Sequence, residues 1–447
     1  MMRKGTALAP DFSNLRGKHI LIALSGGADS VALAVMLAEA REALALRLSA
    51  AHLDHAIRPE SAGDAEWCRA LCHRLSITFH TARIDVPAEA KRAGEGLETA
   101  ARRLRHLWLD QVKEAVGADC VALAHHMDDQ AETVLMHLAR GTGPEGIGGM
   151  RAQTDGMVRP LLGMRKRELT AYLLERGIGW REDATNAVDD TPRNALRLHG
   201  IPELEKSYPQ IVPAISRYAE SARIESDYLA ELTREYLAAR RFSGPYGDYI
   251  DLAPPPSRAI LRRALRQLCG SGLPWEKLNA LEALCAAERG KLEISGSLTA
   301  ERGHRGIYFL PKRPASIVKR PLSLTGETVL DGLCAVAAAP APPITVRDDP
   351  LRQALDADAL SGAALRVRRD GDRIRPLGCG EKLLSDYLTD KKVDRPLRDC
   401  LAVVAKGNRV LWVCGLGISE EAKLTDQSTR AVALECRYTF ETAMLYK

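Results

Sequence analysis

The sequence predicts an α/β fold: a parallel-sheet domain over residues 19–205, a mainly helical middle domain over 213–330 and a small α+β module over 345–440. Three observations predict it. Short aliphatic runs alternate with amphipathic helical windows through the first 180 or so residues, the mark of a parallel sheet covered by helices. A glycine-rich turn, Leu24-Ser25-Gly26-Gly27-Ala28-Asp29-Ser30, joins the first run to the first window. After residue 213 the pattern turns almost purely helical, until a Pro and Ala cluster at 337–343 reads as a linker.

Residues 1–18 form an N-terminal extension, and the elements then follow in order. Residues 19–24 read as a strand, 30–42 as a helix, 48–53 as a strand, 62–75 as its crossover helix and 77–84 as a third strand. A long helix over 97–116, a strand over 120–124 and a helix over 128–140 complete four strand-helix units. Residues 157–161 add a strand and 166–177 a helix, with Gly177 as its stop. Tyr218, Ile224, Leu229, Leu232, Leu261, Leu265, Leu278 and Leu281 supply the apolar stripes of the middle domain. Residues 402–404 and 410–413 read as strands around a Lys-Gly-Asn turn.

With 447 residues, 46% of them hydrophobic, the chain can bury more than one core. A formal charge of +5 is too slight to mark the whole chain as a nucleic-acid binder. Residues 365–409 hold 12 Lys or Arg against 7 Asp or Glu, so a polyanion partner near the C-terminus is expected. Ten cysteines are scattered without a CxxC, as in a reduced compartment. No basic start precedes an apolar core and cleavage site, and no run approaches the roughly 20 apolar residues of a membrane span. A soluble cytoplasmic protein is expected.

The turn at 24–30 carries the most specific chemistry. Two glycines let the backbone approach an anion, the amides of the new helix point at it, and two serine hydroxyls add donors. The lysine of a Walker loop is missing, and the pattern is not the dinucleotide GxGxxG. SGGADS instead resembles the PP-loop of ATP-pyrophosphatases, which implies an adenine nucleotide α-hydrolase-like domain that splits ATP between its α and β phosphates. Ser25, Gly26, Gly27, Ala28, Asp29 and Ser30 are then the nucleotide-binding residues. Asp29 has the wrong charge to touch phosphate directly, so a Mg²⁺ ion between them is expected. The plain alternative is a strand-to-helix turn with a serine cap.

His52-Leu53-Asp54-His55-Ala56-Ile57-Arg58 follows the second strand, and His125-His126-Met127-Asp128-Asp129-Gln130-Ala131-Glu132-Thr133 the fourth, at the edge where ligands of open α/β sheets bind. The second string, with Arg140-Gly141-Thr142-Gly143, Gly148-Gly149-Met150, Arg159-Pro160-Leu161-Leu162, Trp180-Arg181-Glu182-Asp183, Asn186, Arg193-Asn194 and Arg197, resembles the tRNA(Ile)-lysidine synthetases. Gly371-Asp372-Arg373, Arg375-Pro376-Leu377-Gly378, 382–388 and 412–416 resemble that family's C-terminal module. His106 stands where the family pattern has tyrosine, and Ala56-Ile57 replaces Gly-Leu.

The resemblance implies ligation of free lysine to carbon 2 of the wobble cytidine in an isoleucine tRNA with a CAU anticodon, with ATP becoming AMP and pyrophosphate. The carbonyl at carbon 2 has no leaving group until adenylation makes its oxygen one. Asp129 and Glu132, with Asp29, are the candidate catalytic residues, and Asp128, Asp129 and Glu132 suit a cationic amino acid. Asp54, His55 and His125 join the nucleotide-binding set, His125 and His126 being open to proton transfer as well. Arg102, Arg105, Arg193 and Arg197 could hold the lysine carboxylate, the cytidine or a phosphate, or simply form charged helix faces. Arg366, Arg368, Arg369, Arg373, Arg375, Lys382, Lys391 and Lys392 are the expected tRNA phosphate contacts. A homodimer stays open. A PP-loop tRNA thiolase and a metal-dependent hydrolase built on the His and Asp clusters are the alternatives.

Overall fold

The computed structural model describes residues 10–56, 61–181, 191–245, 247–270, 272–311, 317–341 and 349–440. The chain divides into two compact units, Met1–Asp227 and Tyr228–Lys447. Among the described residues no helix is long and apolar enough to cross a membrane.

The first unit runs β1 (His19–Ala23), α1 (Ala28–Leu44), β2 (Arg47–Asp54), α2 (Ser61–Arg74), β3 (Thr78–Arg83), α3 (Val86–Ala93), α4 (Leu97–Val116), β4 (Cys120–Ala122) and α5 (Met127–Ala139). There follow α6 (Pro144–Ile147), β5 (Gln153–Thr154), β6 (Met157–Val158), α7 (Lys166–Glu175), α8 (Pro192–Ala195), a π-helical turn at Leu196–Gly200, α9 (Ile201–Ser207) and α10 (Ile211–Arg240), whose residues from Tyr228 on belong to the second unit. The sheet order is β3-β2-β1-β4-β6-β5, parallel throughout except for the β5–β6 pair. Every strand expected here is present, within a few residues at each end.

Alternation along β1 explains the layering. Ile20 and Ile22 face the α1, α2 and α7 side, while Leu21 joins Leu109 of α4 and Val121 on the other. All three β1 residues are fully buried, each contributing about 2 kcal/mol. The chain leaves β1 toward β2 and β3, then returns to lay β4 on the other flank of β1. The strand order therefore reverses between β1 and β4, and a crevice opens at their C-terminal ends.

The second unit corrects two expectations. The middle domain is not made of helices alone: beside the long α10 it holds a sheet that the sequence pattern did not predict. Helices Arg258–Cys269 and Trp275–Ala286 lie with a five-stranded antiparallel sheet ordered Arg241–Gly244, Gly247–Asp251, Gly306–Pro311, Leu298–Arg302, Gly290–Ser295. These strands are only four to six residues long, too short for alternation to stand out against flanking helical spacing. Nor is 337–343 a linker as far as the described residues go. Cys334–Ala341 is a strand paired along its length with Ala431–Tyr438 and over residues 334–338 with Gly326–Leu330. Pro342 and Pro343 lie outside the described residues. The C-terminal core gathers Leu330, Val336, Leu365, Trp412 and Leu434 in one cluster, so this module begins before the Pro and Ala cluster.

Candidate functional site

The loop after β1 is shaped by its glycines and hydroxyls. Gly26 has φ +89, and an added Cβ would stand 3.2 Å from Cys68 Sγ. The Ser30 hydroxyl donates to the Gly27 carbonyl at 3.0 Å, and the Ser25 amide donates to the Ser30 oxygen at 3.2 Å. His52 Nδ1 lies 2.9 Å from the Leu24 carbonyl, and the Arg181 amide donates to the Gly26 carbonyl at 2.9 Å. No side chain caps the N-terminus of α1, which leaves its first amides for an anion. Ser25 to Ser30 thus form one turn at the crevice.

Across the crevice, α5 starts at His126, whose ring accepts from the Asp129 amide while the Asp129 carboxylate accepts from the His126 amide at 3.0 Å. His126 Nε2 then lies 3.6 Å from Asp29 Oδ2 and 3.4 Å from Asp129 Oδ2. One buried imidazole therefore stands between the loop after β1 and the helix after β4. Burial works against its charged form, but Asp29, Asp129 and Asp128 outweigh burial and raise its pKa. The Asp29 carboxyl is held low: burial opposes this, and His126, Lys166 and Arg197 prevail. Asp29 Oδ1 is buried with no hydrogen-bond partner. As neighbours in the sequence His125 and His126 have equal standing; their opposite environments exist only in three dimensions.

Asp129 and Glu132 meet Arg193 and Arg197 in a quartet. Arg193 Nε donates to Glu132 Oε2 at 2.7 Å and Arg197 Nε to Glu132 Oε1 at 2.7 Å, while both Nη2 groups reach Asp129 Oδ1 only at 3.3 Å. Spacing of four puts the two arginines on one side of the α8 and π-helical segment, a helix irregularity of the kind found at functional sites. Glu132, 1% exposed, is saturated by guanidinium; Asp129 is held more loosely.

Three expected site residues are engaged elsewhere. Asp128 is held by its neighbours: Arg165 grips its Oδ1 through Nε and Nη2 at 3.0 and 2.8 Å, and the Lys166 amide donates to Oδ2 at 2.8 Å. Asp54 is 5% exposed and accepts from the Ala56 amide at 2.8 Å, with Arg83 3.5 Å from its other oxygen, so it braces its own turn. Arg366 is buried and forks onto Asp372 at 2.8 Å through both Nη groups, with the Gly407 carbonyl as a further acceptor; it cannot reach a phosphate. Arg369, Arg375, Lys391 and Lys392 are exposed, and Arg368, Arg373 and Lys382 are half-buried.

His55 and His125 keep buried, unpartnered Nδ1 atoms. Burial, with Arg105 nearby, lowers the pKa of both, that of His125 to about 4. Both are neutral at physiological pH and serve as hydrogen-bonding groups rather than counter-charges. Arg102 and Arg105 lie on α4. Ile57, Arg58, Glu182, Asp183 and Asn186 lie outside the described residues. Among the described residues no three His, Cys, Asp or Glu side chains form a group able to hold a metal.

Residues 3–204 match the PP-loop domain family, and residues 363–436 match the TilS substrate C-terminal domain. With the sheet and loop just described, this places the chain in the class of PP-loop, ATP-using enzymes. It is 38% identical to the tRNA(Ile)-lysidine synthase of Thermus thermophilus over 89% of this chain and 69% of the relative. To the enzymes of that name from Symbiobacterium thermophilum and Geobacter sulfurreducens it is 34% and 33% identical, over 93% and 94% of this chain and 93% of each relative. The chain belongs to the tRNA(Ile)-lysidine synthase family and is an ATP-dependent ligase.

Proposed function

We propose that this protein joins free lysine to carbon 2 of the wobble cytidine of the CAU-anticodon isoleucine tRNA, through an adenylated cytidine, and so converts reading of AUG into reading of AUA. The observation that carries the reading is the His126 bridge: the loop suited to pyrophosphate and the carboxylates suited to an amine share one imidazole. Adenylation and amine attack need such neighbouring sites, because the same carbon-oxygen bond is activated in one step and broken in the next.

Ser25 to Ser30 and the open α1 amides receive the leaving pyrophosphate. The unpartnered Asp29 Oδ1 fits a single carboxylate ligand to Mg²⁺, which takes most of its remaining ligands from phosphates and water; when bound, that ion offsets phosphate charge. His55 and His125, neutral and unpartnered, suit the base or ribose of a nucleotide. Asp129 is the acceptor for the lysine amine, since its arginine contacts are long enough to exchange. Glu132 holds Arg193 and Arg197 in place. The amine must lose a proton from a pKa of about 10.4 before it attacks, and Asp129 is its nearest base. Asp128 fixes the start of α5 through Arg165.

The test incubates the protein with a CAU-anticodon tRNA, ATP and isotopically labelled lysine, followed by nucleoside mass spectrometry. The expected product is one lysine-adducted cytidine per AMP and pyrophosphate released. Label absent from the nucleosides, or ADP in place of AMP, overturns the reading.

A further inference from the structure

Around His106, three guanidinium groups gather outside the Asp129–Glu132 quartet, where Met157 of β6 and Trp108 and Leu109 of α4 join one core cluster. Arg102 and Arg105 come from α4, and Arg159 follows β6. None of the three makes an ion pair among the described residues. Burial and the charge of Arg102 lower the pKa of both Arg105 and Arg159, the effect of like charges held together without a counter-ion. The Nε atoms of Arg105 and Arg159 are buried and lack a hydrogen-bond partner. Such groups are costly unless a ligand meets them.

Arg159 is placed by a chain of contacts that starts in α5. The Gln130 side chain, 4% exposed, grips both backbone groups of Met150: Nε2 donates to the carbonyl at 3.1 Å, and Oε1 accepts from the amide at 2.7 Å. Gly149 has φ +61, and a Cβ there would stand 2.7 Å from the Gln130 amide group, so only glycine lets this grip close. The next carbonyl, that of Arg151, accepts from Arg159 Nη1 at 2.9 Å, and Thr154 Oγ1 accepts from the same atom at 3.3 Å. Gln130 and the Gly148-Gly149-Met150 segment therefore aim Arg159.

We propose that Arg102, Arg105 and Arg159 form a seat for an RNA backbone phosphate beside the target base, with Gln130 as the positioning residue that holds Arg159 in it. This rests on the function proposed above. A free lysine offers one carboxylate, which a single guanidinium fork satisfies; three forks exceed that need. A base that leaves its stack carries its own phosphates into the crevice. Exposure also fits a chain entering from outside, since Arg102 is exposed while Arg105 and Arg159 are half-buried.

The experiment compares wild type, Arg159→Ala, Arg159→Lys and Gln130→Ala, after circular dichroism and melting show each to be folded. Binding of a CAU-anticodon tRNA is measured across a salt series, and KM for tRNA and for lysine by ligation. Arg159→Ala is expected to weaken tRNA binding about tenfold, to reduce the slope of log affinity against log salt by about 0.7 for one lost single-strand phosphate contact, and to leave KM for lysine within about twofold. Arg159→Lys should keep the slope and lose part of the affinity, and Gln130→Ala should follow Arg159→Ala. A rise in KM for lysine with unchanged tRNA binding makes the seat a carboxylate site and overturns the proposal, as do folded variants with wild-type binding and slope. Because the salt series needs no ligation, a wild type that forms no lysine adduct defeats the proposed function while the binding data still decide the seat.

Discussion

Asp29 and Asp129 both approach Nε2 of one imidazole, that of His126, yet their surroundings assign them different work. Asp29 keeps one oxygen without a protein partner, which leaves that oxygen open to a ligand. Asp29→Ala is expected to lower tRNA-dependent pyrophosphate release at least a hundredfold in a protein that circular dichroism shows to be folded. A folded variant with wild-type release would remove the loop from the chemistry. Asp129 and Glu132 should also separate. Asp129→Asn is expected to raise KM for lysine about tenfold or more and leave KM for ATP nearly unchanged. Glu132→Gln weakens the grip on two half-buried arginines, so its signature is a lower melting temperature and a lower kcat. Equal effects of both substitutions on KM for lysine would mean that the two carboxylates share the amine.

Among the helices, α5 is held at its N-terminus by a network that reaches two others. Arg165, at the start of α7, joins Asp128 of α5 and Glu205 of α9, each at 2.8 Å. Burial raises the Asp128 pKa, but the Arg165 and Lys166 contacts lower it by more, so the net shift is down. A carboxyl lowered on folding adds stability above its unfolded pKa, near 3.8, and loses it as pH falls through the still lower folded value. Asp128→Asn should therefore cost about 3 kcal/mol at pH 7, and the gap from wild type should narrow as pH falls below 3.8. Melting curves over a pH series read this directly; a gap independent of pH would mean that the cost comes from packing rather than charge.

Across the full chain, the basic C-terminal stretch divides into charge that faces water and charge that holds the core. Arg366 belongs to the core, paired with Asp372. Arg366→Ala is expected to cost about 3–5 kcal/mol of stability, the usual cost of stranding a buried partner. Lys391→Ala with Lys392→Ala and Arg369→Ala should instead leave melting unchanged, weaken tRNA binding and flatten its salt dependence. Filter binding at several salt concentrations checks this. An unaltered slope would place the tRNA grip on another face. Truncation near residue 339 is no test of that grip, because it cuts the strand Cys334–Ala341 that pairs with Ala431–Tyr438.

Much of the first unit was legible in the sequence, because strand-helix periodicity and the glycine turn at 24–30 are local codes: Ile20, Leu21 and Ile22 alternate whatever lies beyond them. The family motifs likewise stand as strings of neighbours. Which distant groups meet is not written locally. Whether Asp128 serves a ligand or an arginine depends on Arg165, 37 residues away, and whether Arg366 is free depends on how a turn returns Asp372 to it. The short strands at 241–311 are illegible in one dimension, because four to six residues of alternation say little until a partner strand supplies register. Local sequence was enough for the sheet domain, its phosphate loop and the chemical kinds of residue along the crevice edge. That Asp29 and Asp129 share His126 follows only from the reversal of strand order between β1 and β4, because side-chain charge acts over a few ångströms of space and not along the chain.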